Sequence, residues 1–258
     1  MKKMWKRFVS LLLACTLLAG MLPLSASAAG EPTEVTKEWV KTIVTENYSD
    51  YINEDDAYYP LGESGLYWHP VTKTSVGVEG VVTDTILFIV PGEGATADQA
   101  MIPDYQSTPS LWNESNASAL YIADGVTGIG SHAFNGMDTL EKVVFQDASD
   151  LTYVGSYAFN GDNKAQFTDE GNSDAGGDDP TRILDLSRVE RMGENAFYNC
   201  DGIKGVELSG SITAVETKEE GGTEDINNKI PNHAFESCNA LTSITVPEGI
   251  ETIDTAAF

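Results

Sequence analysis

The sequence predicts a repeat solenoid, mainly β, in which short strands alternate with brief helical or 3₁₀ turns. The dipeptide Ala-Phe recurs five times and ends at Phe134, Phe159, Phe197, Phe235 and Phe258. Successive phenylalanines are 25, 38, 38 and 23 residues apart, so a base period of 23 with two insertions of 15 residues accounts for the spacings. Self-similarity at a fixed period of this length is the signature of stacked repeats.

The residues around each Ala-Phe repeat a pattern of apolar positions. An aliphatic or Met side chain precedes each Phe by five positions, as Ile129 precedes Phe134. Segments such as Val143-x-Phe145 follow, and their period of two is typical of a short strand with one buried face. Each coil is therefore expected to hold two short extended segments and a turn that points its Phe inward.

A single coil is too small to fold alone. It buries about five or six large side chains worth roughly 2 kcal/mol each, whereas ordering about 23 residues costs roughly 30 kcal/mol. Stacking lets each strand hydrogen-bond to its neighbours and continues the buried surface from coil to coil. The five phenylalanine rings are therefore expected to form one stacked column.

The repeat pattern and the segment before it, together roughly residues 83–258, resemble a known family, and two segments show this best. Residues 241–258, with Cys238 before them, resemble the unit of the BspA-like leucine-rich repeats of bacterial surface proteins. Residues 92–95 and 101–105, followed by Trp112, resemble the N-terminal cap of that family. The resemblance implies a curved, right-handed leucine-rich repeat coil with an N-terminal cap region, at the cell surface or secreted. It does not imply one particular ligand.

The chain divides into an export signal, an N-terminal region and the solenoid. Apolar residues from Val35 to Val44 recur at helical spacing, and Val76 to Val82 reads as a strand. We expect this helix and hairpin to cover the first edge of the solenoid, with a separate ligand-binding domain as the alternative. The predicted regions are a signal peptide at 1–28, a helix and hairpin region at 29–82, the cap at 83–118 and a solenoid of about five partial or complete coils at 119–258.

The first 28 residues have the three parts of a secretory signal peptide. Lys2 to Arg7 is basic, residues 8–24 are mostly apolar, and Ala26 and Ala28 fit the small-residue rule for cleavage. An uncleaved membrane anchor and lipoprotein processing at Cys15 are the alternatives. The apolar stretch is short for a membrane span, so we expect cleavage after Ala28 and no membrane insertion afterwards.

Two insertions are expected near residues 161–182 and 216–229. Both are rich in acidic residues and glycine, which favours solvated hairpins, and a calcium-binding loop at 169–180 is the alternative reading of the first. Both fall between a strand and the next Ala-Phe, so we expect them to emerge from corresponding places and to frame one surface. The chain stops at Phe258 in the middle of a coil, which predicts C-terminal truncation.

No catalytic, cofactor-binding or metal-binding residue is predicted, and no enzyme activity is expected. His132 and His233 share a repeat position three coils apart, about 14 Å at the usual strand spacing, so they cannot share a metal ion. Cys200 and Cys238 share another position in adjacent coils, where a disulfide is within reach. Free buried thiols are the preferred interpretation of that pair. No nucleophile elbow or nucleotide-binding loop occurs.

The charge balance excludes two classes of partner. The chain has 15 basic and 40 acidic residues, a net charge of −25, and loss of the four basic residues of the signal leaves 11 against 40, or −29. Such a charge repels nucleic acid and anionic membranes. We expect an exported cell-surface or secreted module that binds a protein or glycan of a host or neighbouring cell in adhesion. The alternative is a structural spacer that displays another domain of a longer surface protein or secreted enzyme.

The candidate binding face is the outward side of the parallel strand column. Val143 and Phe145 are expected to face the core, so alternation places the intervening positions outside. The outward residues inferred in this way are Lys142, Val144, Glu207, Ser243 and Thr245.

Overall fold

In a computed structural model, the structure describes residues 29–51, 57–77, 80–105, 112, 115–162, 164–169, 183–218 and 222–258. The predicted signal peptide and the acidic residues 170–182 of the first insertion lie outside the described residues. One helix, α1, spans Glu34–Asn47, and a 3₁₀ turn spans Ala148–Asp150. No helix among the described residues is long and apolar enough to cross a membrane.

Seventeen strands, all short except β2 and β3 of 12 residues each, make up the rest of the regular structure in this described part. Their bounds are β1 Tyr59–Pro60, β2 Leu66–Gly77, β3 Gly80–Pro91, β4 Met101–Ile102, β5 Ala117–Ile122, β6 Gly128–Ile129, β7 Lys142–Phe145, β8 Tyr153–Val154, β9 Gln166–Asp169, β10 Leu184–Leu186, β11 Arg191–Gly193, β12 Gly205–Leu208, β13 Thr213–Thr217, β14 Thr223–Ile226, β15 Lys229–Ile230, β16 Ser243–Thr245 and β17 Thr252–Ile253.

Each coil has three sides, and equivalent sides stack into columns. The first strand column runs β3, β5, β7 and β9 in one parallel sheet and continues with β10, β12 and β16 in another. The second strand column contains β4, β6, β8, β11 and β13, followed by the pair β15 and β17. The third side consists of the turns that carry Ala-Phe. The predicted mainly β repeat solenoid is confirmed.

The phenylalanine rings form the predicted column at the centre of the core. Phe134, Phe159, Phe197 and Phe235 are fully buried, and their neighbouring rings stack with centroids 5.2–5.5 Å apart. Offset and parallel ring contacts at this distance are favourable beyond burial alone. Backbone hydrogen bonds link the coils in the same order. The N–H of each of these four phenylalanines donates to the carbonyl of the Ala that directly precedes the Phe of the next coil, at 2.8–2.9 Å. Trp112 begins the column, 5.2 Å from the ring of Phe134.

The position two residues before each Phe has a left-handed backbone. This position has φ between 47° and 58° in every coil, a region that few residues other than glycine adopt. The conformation directs the backbone N–H of this residue along the stack. The N–H of His132 donates to the carbonyl of Ser156, and the N–H of His233 donates to the carbonyl of Thr255. The residues concerned are His132, Tyr157, Asn195, His233 and Ala256.

The N-terminal region shares its core with the solenoid. The hairpin of β2 and β3 is antiparallel, and β3 continues into the stack by pairing in parallel with β5. The expected boundary between residues 82 and 83 falls inside β3, so the hairpin and the first coil are one continuous unit. Helix α1, capped by Thr33 whose hydroxyl accepts from the N–H of Thr36 at 3.2 Å, lies on the outer face of this sheet. The helix and hairpin thus pack against the first coils of the solenoid.

Each insertion adds a strand to one side of its coil. The strands β8 and β11 pair directly, yet the chain between them supplies both β9 and β10 to the first strand column. Likewise β12 and β16 pair directly, and the chain between them supplies both β13 and β15 to the second column. The expected bounds are corrected accordingly, because residues 166–169 form β9 and bury Phe167. The two insertions leave from different columns, so they do not emerge from corresponding places.

Candidate binding face

The outer face of the first strand column has the predicted alternation. Val143 and Phe145 lie in the central core, and Val144 points to the opposite side of the sheet. Along the stack, the outer face divides into a half that is covered by protein and a half that is open. The two halves have different chemistry.

The covered half is the outer side of β3, β5 and β7. There Val40, Ile43 and Val44 of α1 pack with Phe88, Tyr121 and Val144 in a second hydrophobic cluster. Val144 is 1% exposed. Its expected place on an accessible binding face is therefore wrong, because α1 lies over it.

Lys142 lies at the margin of the covered half. Its amine donates to the hydroxyl of Tyr121 at 3.3 Å and lies 5.3 Å from the centre of that ring, a cation–π geometry. The Tyr121 hydroxyl also contacts that of Tyr48 at 3.1 Å. Burial raises the pKa of Tyr48, while the hydrogen bond with Tyr121 opposes the rise. Lys142 thus serves to join β7 to the aromatic cluster under the helix.

The open half, here called the open face, consists of Asp185, Glu207, Ser243 and Thr245 on β10, β12 and β16. Asp185, Glu207 and Thr245 are in register and form one row across the three strands, about 10 Å long at the usual strand spacing. Glu207, Ser243 and Thr245 are exposed, and Asp185 is half-buried. Asp185 accepts a hydrogen bond from the N–H of Ser187 at 2.9 Å, which holds its carboxylate at the edge of the face.

A glycine keeps the floor of the open face flat. Gly205 lies beside Ser243, and a Cβ at this position would meet the Ser243 hydroxyl at 2.9 Å. A larger residue would therefore displace the Ser243 hydroxyl from its place on the open face. The resulting surface presents carboxylates and hydroxyls over a flat backbone, which suits a partner with hydrogen-bond donors or positive charge.

The two cysteines are free thiols, as the preferred interpretation predicted. The Sγ of Cys200 donates to the carbonyl of Phe159, and that of Cys238 donates to the carbonyl of Phe197, each at 3.1 Å. Burial raises the pKa of Cys238 to about 11 and that of Cys200 well above its ordinary value. Because the thiolate is the reactive form, these side chains are held in an unreactive state.

The histidines lie in three separate environments. His132 stacks on Tyr157 with ring centres 4.9 Å apart, and burial lowers the pKa of its imidazole. His233 contacts the carboxylate of Glu236, and His69 is buried with Nδ1 3.0 Å from the carbonyl of Ala57. Within the described ranges, no three His, Cys, Asp or Glu side chains are grouped so as to hold a metal ion.

One ionic cluster escaped the sequence analysis. Lys229 is buried where the second insertion meets the last coil, with its amine 2.9 Å from Glu216 and 2.6 Å from Asp254. Hydrogen bonds to these carboxylates raise the pKa of Lys229 despite its burial, and the bond from Lys229 lowers the pKa of Asp254 to about 2. One sign of this cluster was present in the sequence: Lys229 directly precedes Ile230, an apolar residue of the repeat pattern, although the segment before it was expected to be solvated.

A stack of parallel-stranded coils around a phenylalanine column, with one open strand face, defines a leucine-rich repeat solenoid. The family model for the "BspA type Leucine rich repeat region" matches six copies over residues 108–172, 181–219 and 223–258. The chain therefore belongs to the BspA-type leucine-rich repeat family. No curated protein matches the chain.

Three solved structures are similar to the chain at low identity. A leucine-rich repeat protein from Eubacterium ventriosum is 16% identical over 78% of this chain and 63% of its own, with a TM-score of 0.33. The leucine-rich repeat protein of T. pallidum is 17% identical over 62% of this chain and 81% of its own, with a TM-score of 0.31. A leucine-rich cell surface protein from Faecalibacterium prausnitzii is 17% identical over 80% and 75%, with a TM-score of 0.20. The chain thus spans just under two thirds of the Eubacterium protein.

Proposed function

We propose that this chain is the non-catalytic binding module of an exported bacterial surface or secreted protein, and that the open face contacts its partner. The observation that carries the proposal is the contrast between the two halves of one parallel strand column. The outer side of β3, β5 and β7 is covered by α1, whereas Glu207, Ser243 and Thr245 on β12 and β16 are exposed.

Parallel sheets are usually covered on both faces. This protein follows the rule in its first three coils, where α1 covers an outer face whose outward residues are mostly apolar. On β12 and β16 the outward residues are polar or glycine, so this part of the sheet can face water without a covering element. It is therefore available to a binding partner. Because the open face lies on hydrogen-bonded strands, its backbone is already ordered, which lowers the ordering cost of association.

The charge of the chain narrows the chemistry of the partner. With −25 overall, and acidic side chains in the row of Asp185 and Glu207, the open face favours a partner with positive charge or many hydrogen-bond donors. A protein or glycan on the surface of a host or neighbouring cell satisfies this requirement. Export by the signal at 1–28 would bring the module to such a partner. The same negative charge disfavours nucleic acid and anionic lipid as partners.

The test uses point variants of the whole chain. Deletion of residues 29–82 would remove α1 and β2 and expose the second hydrophobic cluster, so a fragment would bind nonspecifically. The labelled chain is instead incubated with intact epithelial cells and with neighbouring bacteria, and retention is compared with that of Glu207→Arg/Thr245→Arg. The control is Glu190→Arg, an exposed carboxylate directly before β11 and outside the open face.

We expect the double variant to lose at least tenfold in retention, since like charges now meet the partner and the row is disrupted. The control should bind as the original chain does. Equal retention of both variants would show that the open face is not the contact surface. Absence of saturable binding by the unaltered chain would favour the spacer alternative.

A further inference from the structure

The position three residues after each Phe is a buried corner of the coil. In the successive coils it holds Met137, Asp162, Cys200 and Cys238, all buried in the turn column. Three of these side chains are apolar or weakly polar. Asp162 is a carboxyl group with 0% exposure, which is costly unless the group is neutral or fully hydrogen-bonded.

The cysteines show what this corner requires of a polar side chain. Each thiol donates to the carbonyl of the Phe in the preceding coil, as Cys200 does to Phe159 at 3.1 Å. Each also accepts from the backbone N–H of the equivalent residue in that coil, which is Asp162 for Cys200 and Cys200 for Cys238. The corner therefore offers one donor and one acceptor to the incoming side chain.

Asp162 makes only one of these two hydrogen bonds. Its Oδ1 accepts from the N–H of Met137 at 2.9 Å, the same backbone donor that the repeat supplies to the cysteines. Its Oδ2 is buried and has no hydrogen-bond partner among the described residues. In the cysteine coils the thiol hydrogen is donated to the carbonyl of the Phe in the preceding coil. By repeat equivalence, the acceptor available to Oδ2 of Asp162 is the carbonyl of Phe134. A carboxylate has no proton to give to a carbonyl, whereas a carboxylic acid has one.

The surroundings of Asp162 also disfavour its charge. Burial raises its pKa well above the ordinary value, and the carboxylate of Asp138 on the preceding coil adds repulsion. The N–H of Met137 acts in the opposite direction. The ionisable group that faces Asp162 from the following coil is the thiol of Cys200. In the part of the chain that the structure describes, no cation contributes to the pKa of Asp162.

We propose that Asp162 is a neutral carboxylic acid in the folded protein, that its Oδ2–H donates to the carbonyl of Phe134, and that loss of this proton to solvent makes the solenoid pH-sensitive. The corner leads directly into β9, since the Asp162 carbonyl accepts from the N–H of Ala165 at 3.1 Å. Ionisation would therefore loosen the chain at the entry to β9.

The direction of the pH dependence follows from proton linkage. The unfolded carboxyl titrates near 3.9, so the unfolded state loses its proton while the folded state still holds it. The contribution of Asp162 to stability is complete below pH ~4. It declines as the pH rises towards the folded pKa, by up to tenfold in the folding constant per pH unit.

The experiment compares urea unfolding of the chain with that of Asp162→Asn between pH 4 and pH 8. The asparagine has the same shape and both hydrogen-bonding roles without a charge, and the difference between the two proteins cancels the titration of every other group. We expect the folding constant of the original chain, relative to the variant, to fall at least tenfold across this range. Asp162→Cys, which matches the next two coils, should remove the same pH-dependent component. Asp98→Asn, an exposed carboxylate, is the control and should leave the slope unchanged.

A constant ratio between chain and variant, or one that rises with pH, would overturn the proposal, since it would mean that Asp162 is ionised in the folded state. If both variants fail to fold, infrared spectroscopy of the original chain decides the matter. A carboxylic-acid C=O band that persists at pH 7 and disappears on unfolding supports a neutral buried acid. Its absence at pH 7 refutes one.

Discussion

Replacing Phe197 by alanine tests whether the ring column holds the solenoid together. Phe197 is fully buried, and its ring stacks between Phe159 at 5.5 Å and Phe235 at 5.3 Å. Truncation of a buried Phe costs about 3–5 kcal/mol, and the two stacked contacts place this site at the upper end, near 5 kcal/mol. Phe258 is 43% exposed and has one ring neighbour at 5.9 Å, so Phe258→Ala should cost only about 1–2 kcal/mol.

The assay is urea unfolding at fixed pH, followed by circular dichroism. The loss is read from the midpoint of the transition if its slope is unchanged. Because a solenoid is stabilised by contacts between neighbouring coils, a transition that splits into two for Phe197→Ala would also mark the column as the cooperative link. A loss for Phe197→Ala no larger than that for Phe258→Ala, in a single transition, would refute the reasoning.

Two further substitutions probe the covered half and the ionic cluster. Val144→Asp should destabilise the protein by roughly 3 kcal/mol or more because it buries a charge under α1. Thr245→Asp on the open face meets the carboxylate of Glu207 across the strands but stays in water, so it should cost no more than about 1 kcal/mol; similar losses in urea unfolding would contradict the assignment of the two halves. Lys229→Met should cost about 3–5 kcal/mol because it leaves two carboxylates without their cation, while Lys218→Met, which breaks an exposed pair, should cost under about 1 kcal/mol. Since the pKa of Asp254 is lowered to about 2, its stabilisation is present above pH ~4 and is lost as the pH falls towards 2, and thermal unfolding between pH 2 and 5 should show this loss in the original chain and not in Lys229→Met.

The repeat was predictable because it depends on the spacing of apolar residues within a short stretch of sequence. Ile129, Phe134 and Val143 occupy positions whose burial depends on the period within one coil, and the same period recurs in the others. The free thiols were predictable for the same reason, since Cys200 and Cys238 share a slot that faces the core. Asp162 occupies this slot too, but a carboxylate interrupts an apolar pattern and gives no sign of its protonation.

The insertions were predictable in length but not in structure. An excess of 15 residues is visible in the spacing of the phenylalanines, whereas the strand β9 within it has only Phe167 as an apolar marker. Its identity as a strand depends on pairing with β7, a neighbour from the preceding coil. The ion pairs of Lys229 likewise depend on the tertiary structure, because β13 and the segment after β17 place Glu216 and Asp254 beside it.

The sequence by itself determined the coil, its stacking and the column of rings, because the periodic burial of side chains is a property of neighbouring residues. The tertiary structure alone decided which part of the outer face is available. Val144 and Thr245 have the same alternation and the same place in their coils, yet one is buried and the other exposed. The difference comes from α1, which lies about a hundred residues before Val144 in the chain and covers it through packing that no local pattern encodes.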